Sequence, residues 1–197
     1  MRSIAIIPAK GTSVRIPMKN RRLFHGRPML SYSITTAKES KLFDEIIVST
    51  DDERIVAVAK AYGAKVHMRP ARLCVDNVGT QEVMKVALNW WNVCHPKRTP
   101  QYACCIYATA PLMTKSDLRV GYGMLGSRIS SYVYPVGPDG KDAGAWYWGM
   151  ANSFLTGVPL EGNSQHYELP AERVCDVNTE ADWMRAERLY IEMKETA

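Results

Sequence analysis

The sequence has few cysteines, and their spacing gives them no joint role. Five are present among 197 residues, namely Cys74, Cys94, Cys104, Cys105 and Cys175. Their number is odd and no pair follows the Cys-x-x-Cys pattern, so neither a disulfide framework nor a zinc ribbon is expected. This cysteine usage predicts a reducing compartment.

Long apolar runs are also missing. The opening run, residues 4–7, ends at Pro8, which is far short of the roughly 20 apolar residues of a membrane span and of the apolar core of a signal peptide. No linker, internal repeat or low-complexity tract divides the chain, so we expect a single domain over residues 1–197. These absences predict a cytoplasmic protein with no membrane partner.

The composition favours a folded protein that binds an anionic ligand. Hydrophobic residues make up 46% of the chain, which is enough for a sizeable core. Lys and Arg exceed Asp and Glu by 25 to 20, and such a surplus suits a nucleotide, an acidic sugar or a nucleic acid. Because no basic strand interleaved with aromatic residues and no recognition-helix pattern accompanies the charges, nucleic acid is not an expected partner.

Short β-branched runs alternate with helical patterns along the chain. Strands are predicted near residues 3–7, 45–50, 65–67, 102–107, 131–134 and 145–148. Helices are predicted near residues 29–40, 114–125 and 179–193, after the carboxylates of residues 51–53, and after Thr80. We expect Thr80 to cap the third helix, Thr114 or Ser116 the fourth, and Thr179 with Asp182 the last. This order predicts an α/β, three-layer, Rossmann-like and mostly parallel sheet with helices on both faces. Ligands of such sheets bind beyond the carboxyl ends of the strands.

The loop after the first strand, residues 8–20, combines small residues with cations. Gly11 and Ser13 allow backbone amides to approach phosphate oxygens, and Lys10, Arg15 and Lys19 would neutralise a triphosphate. It is not a Walker A loop, because no Gly-Lys-Ser/Thr follows a suitably spaced glycine. A basic, solvated loop is the alternative interpretation.

An ordered series of motifs begins in the first loop and continues to the carboxyl-terminal part of the chain. Residues 6–13, followed by Arg-Ile-Pro and Lys-Asn, resemble the nucleotide-binding signature A-R-x-x-S-K-x-x-P-x-K-N of the sialic acid and pseudaminic acid cytidylyltransferases. The similarity continues through residues 26–29, 48–52, 69–70, 80, 108–111, 142–144, 146–148 and 176–183. Residues 104–111 and 142–144 are closer to the pseudaminic branch. The resemblance implies a fold like that of the nucleotide-diphospho-sugar transferases.

The resemblance also implies roles for individual residues. Lys10, Arg15, Lys19 and Asp176 would supply the catalytic charges. The residues implied to bind the nucleotide are Ala9, Gly11, Thr12, Ser13, Asn20, Arg69 and Thr80. Those implied to contact the sugar are Tyr107, Ala108, Thr109, Asp142, Ala143 and Gly144. Without the resemblance, Arg69 is an ordinary surface arginine, Thr80 a helix cap, and the sugar positions a strand end and a tight turn.

A divalent metal is implied by the same resemblance. Asp176 and Asn178 occupy the two positions of the family's Asp-x-Asp metal pair, and alternate residues of an extended segment share a face. This implies Mg²⁺ as cofactor. In the implied reaction the anomeric hydroxyl of an acidic sugar attacks the α-phosphorus of CTP, and pyrophosphate leaves.

The sequence departs from the family at three places, which leaves alternatives open. Val14 replaces the lysine of the Ser-Lys pair, and Asn178 replaces the second metal carboxylate, so we expect weaker metal binding. The segment between Tyr134 and Asp142 is shortened where the family has sugar contacts and part of its dimer-forming region, so a homodimer is possible but not implied. The acceptor could instead be sialic, legionaminic or 3-deoxy-manno-octulosonic acid, or the chain could be an impaired homologue that binds CTP without releasing pyrophosphate.

Overall fold

The computed structural model describes residues 2–75, 78–127 and 129–195. Its strands are β1 (Ser3–Pro8), β2 (Leu23–Phe24), β3 (Arg27–Pro28), β4 (Glu45–Thr50), β5 (Lys65–Met68), β6 (Tyr102–Ile106), β7 (Tyr132–Val136), β8 (Trp146–Met150) and β9 (Ser164–Glu168). Its α-helices are α1 (Met29–Ser40), α2 (Glu53–Ala61), α3 (Thr80–Cys94), α4 (Lys115–Gly126), α5 (Ala151–Thr156) and α6 (Glu180–Glu195). No helix among these residues is long and apolar enough to cross a bilayer.

A seven-stranded sheet in the order β5-β4-β1-β6-β8-β7-β9 forms the centre of the described part. Only β8 runs against its neighbours, and the other neighbouring strands pair in parallel. Strands β2 and β3 form a separate antiparallel hairpin. The prediction of an α/β, mostly parallel sheet is confirmed.

Alternation along the strands explains why helices cover both faces of the sheet. In β1, Ala5 and Ile7 pack into a core that includes residues of α1, α2 and α4. Their neighbours Ile4 and Ile6 point the other way, into a core with residues of α3 and α5. Successive side chains of a strand point to opposite faces, so an unbroken apolar strand requires a layer of helices on each side. The predicted three-layer arrangement is therefore confirmed.

A third apolar cluster joins the loop after β1 to the carboxyl-terminal part of the chain. Ile16 from that loop packs with Phe24 of the hairpin, with Val177, and with Trp183 of α6. Arg22 reinforces the junction, because its guanidinium lies 2.6 Å from Glu180 and 4.4 Å from the centroid of the Trp183 ring. Two segments separated by most of the sequence are thereby held together beside the sheet.

The structure tests the caps predicted for three of the helices. Helix α3 begins at Thr80 after Gly79, and no side chain caps it, so the prediction that Thr80 is the cap is wrong. Its hydroxyl lies 3.2 Å from the hydroxyl of Tyr107 instead. Of the two candidates for α4, Thr114 is the cap and forms a capping box with Asp117. Thr179 and Asp182 form the predicted reciprocal bonds at the start of α6.

Asp117 offers a test of how the fold is stabilised. Its carboxylate is buried, accepts from the Thr114 amide at 2.8 Å, and forms an ion pair with Arg173 at 2.7 Å. Asp117→Ala leaves Arg173 unpaired and removes half of the capping box, so we expect a loss of about 3–5 kcal/mol in the free energy of unfolding. Urea denaturation followed by circular dichroism measures it. Asp139→Ala, at an exposed ion pair with Lys141, is the control and should change nothing measurable; equal losses would contradict the account.

Candidate functional site

The carboxyl ends of four parallel strands open into one cleft. Strands β1, β4, β5 and β6 end at the same edge of the sheet because they run in parallel. A cleft of about 410 Å³ lies there. The predicted site residues that line it are Lys10, Arg15, Lys19, Asn20, Arg69, Thr80, Tyr107, Ala108, Thr109, Asp176 and Asn178. The structure therefore brings together residues from both ends of the chain.

Cations from the loop after β1 form one wall of the cleft. Lys10, Arg15 and Lys19 all line it, and the ammonium of Lys19 donates to the carbonyl of Val177 at 2.6 Å. Burial lowers the pKa of Lys19, and the nearby carboxylate of Asp176 offsets this only in part. A partly desolvated ammonium is a strong partner for an anion, because less water must be displaced when the anion binds.

Asp176 and Asn178 face the cleft because they alternate with apolar residues. Cys175 and Val177 are buried in the third cluster, which turns the intervening Asp176 and the following Asn178 outward on the same side. The side-chain amide of Asn178 donates through Nδ2 to the carboxylate of Asp176 at 2.5 Å. The capping box at the start of α6 fixes the end of this segment.

The donor set fits a metal that arrives with its substrate. Within the described residues, no group of three or more His, Cys, Asp and Glu side chains could hold a metal. Asp176 supplies a carboxylate beside three cations that suit phosphates. The side-chain nitrogen of Asn178 faces that carboxylate, so its amide must rotate to offer the oxygen to a metal. Mg²⁺ in nucleotide enzymes commonly takes one or two carboxylates and completes its shell with phosphate oxygens and water.

Arg69 and a group of aliphatic side chains form another part of the cleft. Arg69 is 8% exposed and donates to the Ser49 carbonyl at 2.7 Å, so it is not an ordinary surface arginine. Asn20 donates to the carbonyl of Lys10 at 2.9 Å. The aliphatic residues, which the sequence patterns did not indicate, are Leu73, Val75, Val78 and Val83. Buried donors beside an apolar wall suit a planar base.

Four predicted nucleotide contacts from the first loop lie outside the lining of this cleft. Ala9 is buried and its amide donates to the carbonyl of Ser49. The amide of Gly11 donates to the Asp51 carboxylate at 2.7 Å, so it would have to exchange this bond to reach a phosphate. Thr12 is exposed and Ser13 partly exposed. Nucleotide contact by these four residues stays a prediction.

A second cleft of about 300 Å³ adjoins the first and shares Thr80 and Tyr107 with it. Asp142 lines it, as do residues that sequence reasoning missed: Gln81, Tyr147, Phe154 and Leu160. The hydroxyl of Tyr147 donates to Asp142 at 2.6 Å. Burial raises the pKa of Tyr107 and of Tyr147, so both hydroxyls stay protonated and can donate. Tyr147 belongs to the Trp-Tyr-Trp stretch of β8, and this stretch was the sequence feature that could have indicated it as a site residue.

Ala143 and Gly144 are among the lining residues of neither cleft, so their contact with a sugar stays a prediction. Ala143 is buried, and Gly144 has a φ of +62° and faces Asp176, where an added Cβ would lie 2.9 Å from the carboxylate carbon. The turn that precedes them is short, with the Gly137 amide bonded to the Lys141 carbonyl at 2.8 Å. Gly144 therefore packs directly against Asp176.

Gly144→Ala should disturb Asp176 without disrupting the fold. The added methyl group is too close to the carboxylate, and the left-handed backbone costs about 1–2 kcal/mol for a residue with a side chain. Gly140→Ala is the matched control, because Gly140 also has a positive φ but nothing lies within 4 Å of its Cβ position. We expect kcat/KM for the reaction that the resemblance implies to fall at least tenfold in Gly144→Ala, about 1.4 kcal/mol, and to change little in Gly140→Ala. Equal effects would contradict the contact with Asp176.

Comparison with known proteins identifies relatives along nearly the whole chain. A family model described as cytidylyltransferase matches residues 4–137. A pseudaminic acid cytidylyltransferase from Campylobacter jejuni subsp. jejuni is 33% identical over 226 aligned positions, which cover 96% of this chain and 97% of that protein. These positions outnumber the 197 residues of the chain, so the alignment contains gaps on this side, as a shortened segment requires.

Solved structures share the fold at low sequence identity. A CMP:2-keto-3-deoxy-manno-octonic acid synthetase complexed with CTP superposes with a TM-score of 0.75 at 16% identity, covering 98% of this chain and 100% of that one. A Mycobacterium tuberculosis protein in complex with manganese superposes with a TM-score of 0.69 at 16% identity, covering 95% and 99% of the two chains. At these identities the similarity shows the fold.

Proposed function

The chain belongs to the cytidylyltransferase family, and from this premise we propose that it transfers CMP from CTP to an acidic nonulosonic sugar, with pseudaminic acid favoured, and releases pyrophosphate. The observation that carries the proposal is the pair of adjoining clefts. One combines three cations, Asp176 and an apolar wall, and the other presents the Asp142–Tyr147 pair. The name of the Campylobacter relative supports pseudaminic acid as acceptor.

In this proposal the first cleft holds CTP. Lys10, Arg15 and Lys19 bind the triphosphate, and the backbone around residues 9–13 approaches it. Arg69, Asn20 and Thr80 contact the cytidine. A purine would be disfavoured because it is larger and would leave buried donors such as those of Arg69 unpaired.

The proposed reaction requires the protein to position the two substrates and to stabilise charge, and it needs no covalent intermediate with the protein. The anomeric hydroxyl of the sugar attacks the α-phosphorus and loses its proton to water, the bond from that phosphorus to the bridging oxygen breaks, and pyrophosphate leaves with the electron pair. The three cations stabilise the negative charge that grows on the leaving group. We propose that Asp176 and Asn178 hold Mg²⁺, which when bound offsets charge on the phosphoryl oxygens.

The second cleft holds the sugar in this proposal. Tyr107, Ala108 and Thr109 line the first cleft, and Tyr107 also lines the second, where Asp142 with Tyr147 offers hydrogen-bond partners for hydroxyl or amide groups. Phe154 and Leu160 supply apolar surface for a methyl group. Gly144 acts through its contact with Asp176, and a sugar contact by Ala143 stays a prediction. We place the reaction in the cytoplasm, where CTP is found, and leave dimerisation as a prediction.

A catalytically impaired CTP-binding protein is the second candidate. It is favoured by Asn178 at a metal position and by Val14, which is 84% exposed in the first loop and adds no cation. This candidate binds CTP but releases no pyrophosphate.

The test is pyrophosphate release from CTP and Mg²⁺ with pseudaminic, sialic, legionaminic and 3-deoxy-manno-octulosonic acids. We expect the fastest release with pseudaminic acid and little with UTP or ATP in place of CTP. Release with another acid alone would change the substrate but keep the reaction. CTP binding without release from any acid would establish the impaired protein, and equal rates with ATP would refute the cytidine site.

A further inference from the structure

Arg69 contacts a buried serine–histidine pair, Ser49 and His67, which has no direct part in the proposed reaction. We propose that Ser49 and His67 are positioning residues which hold the Arg69 guanidinium ready for the nucleotide. The inference rests on the proposed function, because it takes Arg69 to be a cytidine contact.

Ser49 engages Arg69 through both its backbone and its side chain. The Nη2 group of Arg69 donates to the Ser49 carbonyl at 2.7 Å, and Nε donates to the Ser49 hydroxyl at 3.3 Å. The backbone is held as well, since the Arg69 amide donates to the Thr50 carbonyl at 2.7 Å. The guanidinium is therefore anchored at one edge while the side chain lines the first cleft.

His67 completes the chain of hydrogen bonds. Its Nδ1 atom lies 3.1 Å from the Ser49 hydroxyl. An arginine has only donors, so the Ser49 oxygen accepts from Arg69. Among the described residues His67 is the other partner of this hydroxyl, and donating to Nδ1 of His67 keeps the hydroxyl hydrogen from being buried without a partner. Nδ1 of His67 is then the acceptor, and the ring proton resides on Nε2. The hydrogen bonds therefore run in one direction, with Arg69 donating to Ser49 and Ser49 donating to His67.

The surroundings of His67 favour the neutral ring that this direction requires. The side chain is 3% exposed and packs against Trp90 of α3, with ring centroids 5.1 Å apart. Burial lowers the pKa of His67, and the positive charge of Arg69 lowers it further. A neutral imidazole keeps an acceptor at Nδ1.

Fixing an arginine in advance should act on nucleotide affinity. A free arginine side chain loses considerable rotamer freedom when it binds a ligand, and a side chain already held in place avoids that cost. The expected signature is a weaker affinity for CTP when the pair is broken, with kcat changed much less than KM. The effect must vanish when Arg69 itself is absent.

The experiment is a double-mutant cycle read by calorimetric titration with CTP. His67→Leu removes the acceptor and should weaken the Kd about fivefold or more, whereas His67→Asn, whose side-chain oxygen can still accept from Ser49, should stay within about twofold. In the Arg69→Ala background, His67→Leu should change the Kd less than twofold. Should His67→Leu not fold, Ser49→Ala in the same two backgrounds provides the same cycle.

Three outcomes decide between the possibilities. Coupling to Arg69 together with rescue by asparagine supports the inference. Equal losses with and without Arg69, or no loss, refute the inference while CTP binding by the unaltered protein keeps the proposed function. No CTP binding by the unaltered protein refutes the proposed function and the inference that rests on it.

Discussion

Asp176→Ala should lower kcat/KM for pyrophosphate release by about 1,000-fold, because it removes the carboxylate that the proposed metal requires beside the triphosphate. A bound metal contributes several kcal/mol to such reactions, and about 1.4 kcal/mol corresponds to a factor of ten. Steady-state rates with CTP and saturating Mg²⁺ give the value. Asp139→Ala, which removes an exposed carboxylate in the turn before Asp142, should leave the rate unchanged.

Residual activity of Asp176→Ala within threefold of the unaltered protein would remove Asp176 from the mechanism. A complementary change restores the second carboxylate of the family pair. Asn178→Asp should lower the Mg²⁺ concentration that gives half-maximal rate, since a carboxylate adds the negative charge that an amide lacks. An unchanged or higher Mg²⁺ requirement would place the ion elsewhere.

Lys19→Ala is expected to have the next largest effect, a loss of about 100-fold in kcat/KM. The change removes a partly desolvated cation from the triphosphate wall and also the 2.6 Å bond to the Val177 carbonyl, which connects the first loop to the segment of Asp176. Lys19→Arg should recover part of the rate, because charge is kept. The readout is the rate of pyrophosphate release at several CTP concentrations.

The control for Lys19 is Lys141→Ala, which removes an exposed cation paired with Asp139. It should leave kcat/KM unchanged. If Lys19→Ala behaved like this control, Lys19 would not stabilise the leaving pyrophosphate. If Lys19→Arg were as slow as Lys19→Ala, the bond to Val177 rather than the charge would be the important contribution.

Much of the fold could be predicted because its strands are strongly patterned. Strand β4 and helix α1 have the predicted bounds, and β6, predicted near residues 102–107, is buried along its whole length. The hairpin of β2 and β3, helix α5 and strand β9 were not predicted. The hairpin strands have two residues each, α5 has six, and β9 is a polar edge strand, so none presents a long enough apolar period.

Part of the candidate site could be predicted residue by residue, but the contacts between those residues could not. The resemblance indicated Lys10, Lys19, Arg69 and Asp176 one by one, and the structure places them around one cleft. The packing of Gly144 on Asp176 could not be predicted, because contacts between distant segments depend on the finished fold. The hydrogen-bond chain from Arg69 to His67 was missed for the same reason, although all its members lie within 21 residues.

A crystal structure with CTP and Mg²⁺ would show whether the cleft at the carboxyl ends of the strands binds CTP opposite Asp176. We expect triphosphate oxygens within hydrogen-bond distance of Lys10, Arg15 and Lys19, the cytosine ring beside Arg69, and Asp176 directed toward the phosphates. CTP bound outside this cleft, or bound within it with Asp176 turned away, would refute the proposed nucleotide site.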